Sequence, residues 1–142
     1  MEQFGVNIPG ARSLLTAAAA LLWVGCTENE DPPVSATVII EASASVEMPL
    51  LLTVSTSFEV PTTGEVIYNN IDSITITGNY NDQFSLNSEA RFTAKLLNEH
   101  GTEEGVRLSV LIDAGREYDE RVVLGQGGFL QYVYRFQSGG IF

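Results

Sequence analysis

The sequence predicts an all-β domain over residues 34–142, an immunoglobulin-like β-sandwich of about seven to nine short antiparallel strands. From Val34 onward, apolar and polar residues alternate with a period of two, which is the spacing of a strand with one buried face. Turn-forming Gly, Pro, Asn and Asp residues separate the alternating runs at regular intervals. A lipocalin-like up-and-down barrel is the alternative, because every connection is short enough to join neighbouring strands.

The first half of this domain is predicted to contain five strands, each alternating in polarity or rich in β-branched residues. They cover residues 34–44, 52–60, 66–68, 71–77 and 84–86. Pro49 separates the first two strands and Pro61 closes the second, because proline cannot donate to a strand ladder. The pair Asn69-Asn70 is expected to break the third strand from the fourth.

The second half is predicted to hold two more alternating strands and a hairpin at the end. The alternating strands cover residues 90–96 and 106–112, and the polar segments 98–105 and 114–120 are expected to be connections. A strand that begins at Val122 is followed by the glycine-rich turn 125–128 and a returning strand over 129–137, which is the pattern of a hairpin.

An apolar run with a cysteine at its end precedes the domain. Residues 14–24 are apolar apart from Thr16, about half the length that a membrane-spanning helix needs. The run has the size of the hydrophobic region of a secretory signal peptide. It ends in Leu22-Trp23-Val24-Gly25, directly before Cys26, the only cysteine of the chain.

These residues resemble the lipobox of bacterial lipoproteins, in which a small residue precedes the cysteine. Trp23 stands where that family usually has leucine. The resemblance implies that residues 1–25 are a signal peptide and that Cys26 is lipidated on its sulfur and its amine. The membrane would then be a partner through the acyl chains on Cys26, and two or more chains give stable anchoring.

Residues 26–33 are predicted to be the lipidated cysteine and an acidic tether. The tether has no apolar residue to bury, and Pro32-Pro33 favours an extended backbone. Acidic residues just after the lipidated cysteine are similar to the export signal of surface-exposed lipoproteins in some gram-negative bacteria. This resemblance implies an outer-membrane location with the domain at the cell surface.

The charge of the chain argues against nucleic acid as a partner. Phosphate contacts need clustered Lys and Arg, whereas the seven basic residues are scattered along a chain of net charge −11. Envelope proteins or glycans are the partners that remain.

The sequence also contains no recognisable catalytic or metal-binding set. His100 is the only histidine, which rules out a multi-histidine zinc site, and no Gly-x-Ser-x-Gly nucleophile elbow is present. The carboxylate pairs Glu103-Glu104 and Asp119-Glu120 are expected to be solvated loop charges. We therefore predict a non-enzymatic protein without a cofactor or a metal.

Three aromatic residues, Tyr132, Tyr134 and Phe136, share one face of the last predicted strand. They could form a stacking platform for sugar rings, or they could simply pack in the core. The function expected from the whole sequence is that of a lipid-anchored binding or accessory module. The alternatives are a subunit or anchor of a surface fibre that exchanges its first strand, and a small-ligand carrier with a barrel cavity.

Overall fold

The computed structural model describes residues 31–45 and 47–137. These residues form eight β-strands, which are numbered here in chain order. The strands are β1 (Ser35–Ala42), β2 (Leu50–Glu59), β3 (Ile67–Ile76), β4 (Tyr80–Ser85), β5 (Arg91–Leu97), β6 (Glu104–Ile112), β7 (Gly115–Leu124) and β8 (Phe129–Arg135).

The strands form two four-stranded antiparallel sheets that pack as a sandwich. Sheet A has the order β4-β1-β6-β7, and sheet B has the order β3-β2-β5-β8. The predicted β-sandwich is therefore confirmed. The lipocalin-like alternative is wrong, because an up-and-down barrel pairs consecutive strands, whereas β1 and β2 lie in different sheets.

The core lies between the two sheets and is filled by every second residue of their strands. Val38 of β1, Phe92 of β5 and Leu108 of β6 are all 0% exposed. Successive side chains of a strand point to opposite faces, so the period of two in the sequence becomes one buried face in each strand. The buried faces predicted for β1, β5 and β6 are confirmed, whereas β2 departs from its alternation at Ser55, which is buried, and at Thr56, which is not.

The predicted break at Asn69-Asn70 is wrong, because both residues lie inside the single strand β3. Opposite them, the pairing of β2 with β3 is irregular between Val54 and Ser57, and again between Ser57 and Phe58. Such bulges take up extra residues without ending the ladder. The two asparagines therefore occupy an irregular part of the strand and not a loop.

The predicted polar connection over residues 114–120 is also wrong, because β7 already begins at Gly115. β7 is an edge strand that pairs with β6 alone among the described strands. Most of its residues are exposed, so the segment lacks the apolar alternation that marks a half-buried strand.

The predicted final hairpin does not form, because β7 belongs to sheet A and β8 to sheet B. Residues 125–128 carry the chain from one sheet to the other, with Gly127 in the left-handed region at φ +72°. A glycine-rich turn serves a hairpin and a crossing between sheets equally well. Its sequence therefore could not distinguish the two connections.

The described chain enters and leaves the sandwich at one end, here called the near end. The amide of Leu86 donates to the carbonyl of Val34 (2.9 Å), and the amide of Phe136 donates to that of Ala90 (3.2 Å). Residues 86–90 are the single short connection from β4 to β5, so both contacts lie at the same end. Because all pairings are antiparallel, the connections that follow β1, β3, β5 and β7 lie at the opposite, far end.

Candidate functional site

The outer face of sheet A carries a row of charged residues near its far end. Glu41 of β1, Arg107 of β6 and Arg121 of β7 are direct neighbours in the strand register. Each arginine donates to a different oxygen of the glutamate, Arg107 Nη1 to Oε1 at 3.2 Å and Arg121 Nη2 to Oε2 at 3.0 Å. The row therefore links three strands through one carboxylate.

A second carboxylate, Asp119 of β7, extends this row along the face. Arg107 donates to both of its oxygens, from Nε at 2.7 Å and from Nη2 at 2.8 Å. Arg116 Nη1 and the Ser109 hydroxyl also donate to Asp119, each at 2.8 Å. The hydrogen bonds from Arg107, then those from Ser109, hold the pKa of Asp119 well below its usual range.

We call this set the arginine network. It comprises Glu41, Arg107, Ser109, Arg116, Asp119 and Arg121. It holds three of the seven Lys and Arg residues of the chain against two carboxylates. In a chain of net charge −11, this is a local excess of positive charge. The side chain of Arg121 is 72% exposed and that of Arg116 is 52% exposed, so both guanidinium groups are open to a ligand.

An open groove of about 760 Å³ adjoins the network at the far end of sheet A. Gly105 is part of its floor, and a Cβ added there would meet no atom within 4 Å. Val123, which is 62% exposed, gives the groove an apolar wall, and Asn79 contributes a polar one. Three members of the arginine network, Glu41, Arg107 and Arg121, also line the groove.

This arrangement is suited to binding an anionic group. The guanidinium of arginine presents planar, paired donors that match a carboxylate or a phosphate in two-point contact. The apolar Val123 beside those donors offers contact area to the rest of a ligand. In residues 31–45 and 47–137, no group of three or more His, Cys, Asp and Glu side chains could hold a metal ion.

The three predicted platform aromatics lie on the inner side of β8 and just after it. Tyr132 and Tyr134 are partly buried and pack against the core. The ring of Tyr132 contacts that of Tyr118 at a centroid distance of 5.2 Å, which closes the sandwich edge between β7 and β8. Burial raises the pKa of Tyr132 to about 12, with the charge of Glu117 adding to the effect. The placement of Tyr132 and Tyr134 is the one that the core-packing alternative describes. The sugar platform of Tyr132, Tyr134 and Phe136 stays a prediction.

Three of the four carboxylates predicted to be solvated loop charges lie in strands. Glu104 lies at the start of β6 and is only 7% exposed. Asp119 lies in β7 and is held by the arginine network. Glu120 is exposed, but it also lies in β7 and accepts from the hydroxyl of Tyr118 at 2.6 Å. Glu103 is an exposed loop residue, as predicted. His100 is partly buried in the connection from β5 to β6.

The predicted lipobox Leu22-Trp23-Val24-Gly25 and the lipidation site Cys26 lie outside the described residues. Among the residues that are described, no helix is long and apolar enough to cross a membrane. Comparisons with protein-family models, with curated proteins and with solved structures found no match.

Sequence reasoning missed the arginine network because its members are far apart in the chain. Arg121 and Glu41 are separated by 80 positions. One signal was available: Glu41 and Arg107 occupy polar positions of alternating strands, so both were expected to face outward. Asp119 and Arg121 carried no such signal, since β7 does not alternate in polarity.

Proposed function

We propose that the protein is a lipid-anchored lipoprotein of the bacterial outer membrane that acts as a non-enzymatic binding module. The support for the anchor is the apolar run before Cys26, the small residue Gly25 and the acidic tether that follows. The support for binding is the groove beside the arginine network at the far end of sheet A.

The placement of the chain ends fits these two parts together. The described chain begins at the near end, so a tether from Cys26 would reach the domain there. At about 3.1 Å per extended residue, the tether lifts the near end about 20 Å from the bilayer. The groove lies at the far end, and it would therefore open away from the membrane toward ligands outside it.

The ligand that this groove fits best carries a carboxylate or a phosphate, as acidic envelope glycans do. Arg121 is the residue expected to contact it, because its side chain is largely exposed and, among residues 31–45 and 47–137, Glu41 is the one partner that holds it. Arg107 is bound by two carboxylates and would act mainly by keeping Glu41 in place.

Binding can be tested with polygalacturonate as the acidic probe and dextran as the neutral one, by isothermal titration calorimetry. Arg121→Gln should weaken polygalacturonate binding about tenfold, since one charge-assisted hydrogen bond contributes about 1.5 kcal/mol. Arg135→Gln is the matched control, because Arg135 is an exposed arginine of sheet B at the near end. Equal binding of both polymers, or equal loss in both variants, would contradict the proposed groove.

The anchor has an independent test, the intact mass of the protein extracted from membranes. Processing predicts the mass of residues 26–142 plus a diacylglycerol or triacyl group, and Cys26→Ala should abolish the addition and release the protein from the membrane fraction. An unmodified full-length mass would refute the anchor and leave the groove untouched.

The alternative of a fibre that exchanges its first strand meets a specific cost. β1 is a central strand that pairs with β4 on one side and β6 on the other. Releasing it would break two ladders and expose Ala36, Val38 and Ile40, which are all 0% exposed. The small-ligand carrier depended on a barrel cavity, and the sandwich removes that basis.

A further inference from the structure

A small cavity lies between the edge strands β3 and β4, on the side of the sandwich where the chain passes from sheet B to sheet A. Its volume is about 200 Å³. Pockets that enclose a drug-sized ligand measure about 300–1,000 Å³, so this cavity would hold one small chemical group. The described residues that line it are all different from those that line the groove beside the arginine network.

An irregular stretch of β2 forms one wall of the cavity. The pairing of β2 with β3 shifts between Val54 and Ser57, and Ser55 lies within the shifted stretch. The Ser55 hydroxyl donates to the carbonyl of Asn70 and accepts from the amide of Ser57 at 3.1 Å. A bulge bends its strand and changes the direction of the side chains beside it. Because hydrogen bonds fix this bulge, the wall is a built part of the fold.

Asp72 of β3 is the one charged residue among the described residues that line the cavity. It pairs opposite the core residue Val54, so its side chain points toward the inner side of sheet B. It is also exposed, which places its carboxylate where the cavity opens to solvent. Within residues 31–45 and 47–137, this carboxylate has no hydrogen-bond or ion-pair partner.

Positive charge is absent from the two strands that border the cavity. Neither β3 nor β4 contains Lys, Arg or His, and the connection between them, residues 77–79, contains none either. The six Lys and Arg residues of the described chain lie in β5, β6, β7 and β8. An unpaired carboxylate with no basic neighbour on its own or the facing strand attracts a cation from solution.

Aromatic rings form another part of the wall. Phe84 and Phe92 both line the cavity, and their ring centroids are 5.7 Å apart. An aromatic ring offers contact area to an alkyl chain, and its face attracts an ammonium group. The same kind of contact occurs elsewhere in this chain, where Nζ of Lys95 lies 4.4 Å from the ring centroid of Phe129.

We propose that this cavity binds a primary alkylammonium group, with Asp72 as its ionic partner and the two phenylalanine rings against its alkyl chain. An ammonium group has three donors, and Thr56 and Ser85 of the lining offer hydroxyl oxygens beside the carboxylate. Calcium is a poorer match, because it takes about six to eight oxygen ligands, commonly including several carboxylates. The site is a second one, of opposite charge preference to the groove, and it does not depend on the proposed function.

An NMR titration of the full-length protein in detergent micelles tests the site. The amine probe is diaminopentane with an amine at each end, and pentanediol is the neutral probe of the same shape. The diamine should shift the amide signals of residues 54–56 and 70–72 in a saturable way, and the diol should not. Asp72→Asn should weaken diamine binding about tenfold or more, because it removes a charge-assisted hydrogen bond.

Asp82→Asn is the matched control, because Asp82 is an inner-face acid of β4 that does not line the cavity. Its carboxylate accepts from the hydroxyl of Tyr80 and the amide of Gln83, at 3.3 and 2.8 Å. This variant should keep the wild-type Kd for the diamine. Three results would each overturn the proposal: no saturable shift, equal binding of the diol, or equal loss in the two variants.

Folding and the source of the ammonium group are measured in the same series. Asp72 is exposed and asparagine has nearly the same size, so Asp72→Asn should keep the wild-type melting temperature. A second titration replaces the diamine with N-acetyl-lysine methylamide. Tighter binding of this compound assigns the cavity to a lysine side chain of a partner protein, whereas tighter binding of the diamine assigns it to a free amine. Both results support an alkylammonium site, provided that Asp72→Asn weakens the binding.

Discussion

Asn98 is the residue whose loss should most sharply test how the far end is held together. Its side chain is 0% exposed. Nδ2 donates to the carbonyls of Thr102 (2.8 Å) and Leu124 (2.9 Å), and Oδ1 accepts from the amide of His100 (3.1 Å). Its backbone binds the next connection as well, accepting from Gly127 at 2.7 Å. One residue thus joins the connection after β5 to the connection after β7.

Asn98→Ala removes three hydrogen bonds made by a side chain that is itself fully buried. At about 1 kcal/mol net for each bond, the loss is about 3 kcal/mol of the free energy of unfolding. For a domain of this size that corresponds to a fall in melting temperature of about 15 °C. Urea denaturation monitored by far-ultraviolet circular dichroism would measure the free energy of unfolding. Calorimetric melting would measure the melting temperature.

Asn87→Ala is a matched control, because Asn87 makes a similar set of bonds on the surface. Its Nδ2 donates to Thr56 O at 2.8 Å, and its Oδ1 accepts from Glu89 N at 3.1 Å. Water can replace these bonds, so the expected cost is about 1 kcal/mol or less. If Asn98→Ala costs no more than Asn87→Ala, burial does not set the strength of these bonds and the reasoning is refuted.

Three further variants test other parts of the sandwich. Asp113→Ala should cost about 1–3 kcal/mol in urea denaturation, because the Asp113 carboxylate accepts from the amide and hydroxyl of Ser35 at 2.9 and 3.0 Å; an unchanged midpoint would contradict this clamp on β1. Asp119→Asn should lower the melting temperature at pH 7, and this difference should narrow progressively as the pH is lowered below about 4. The pKa of Asp119 lies below its unfolded value of about 3.9, so its stabilisation is present above that pH and is lost as the pH falls; a pH-independent difference would argue against the Arg107 pair. Tyr132→Phe should remove the absorbance transition near pH 12 from an alkaline titration. The raised pKa of Tyr132, about 12, means that its stabilisation is present below about pH 10 and is lost as the pH rises through 12; a transition retained in the variant would assign it to another tyrosine.

Strands that bury a whole face could be predicted from the sequence alone. In β1, Ala36, Val38 and Ile40 are buried and the residues between them are not. In β6, Val106 and Leu108 are buried and Arg107 between them is not. Such strands lie inside their sheets, so the face toward the core must be apolar along its full length. Apolar residues therefore recur at every second position of the sequence.

Two edge strands, β7 and β3, were predicted wrongly for the opposite reason. In β7 only Leu124 is buried. Because half of the residues of this strand are charged, its sequence shows no alternation of apolar and polar residues. β3 carries Asn69-Asn70 because a bulge in its pairing with β2 accommodates them. Charged residues and asparagines usually indicate a loop, but in β7 and β3 they belong to edge strands that have one neighbouring strand and a solvated face.

The anchoring prediction at Cys26 depends on the sequence alone, because a lipobox is a linear signal that is read before the chain folds. The arginine network is the reverse case. Glu41, Arg107 and Arg121 meet because β1 pairs with β6 and β6 with β7. No local property of these residues specifies those pairings.

The alternation of residues thus establishes that this chain is all-β and which side chains of its central strands are buried. Which strands become neighbours was decided only when the two sheets packed together. The physical reason is that a half-buried strand has the same period whatever strand lies beside it, whereas neighbours are chosen by the joint packing of both inner faces. The sandwich in place of the barrel, the crossing at residues 125–128 and the groove all follow from that second step.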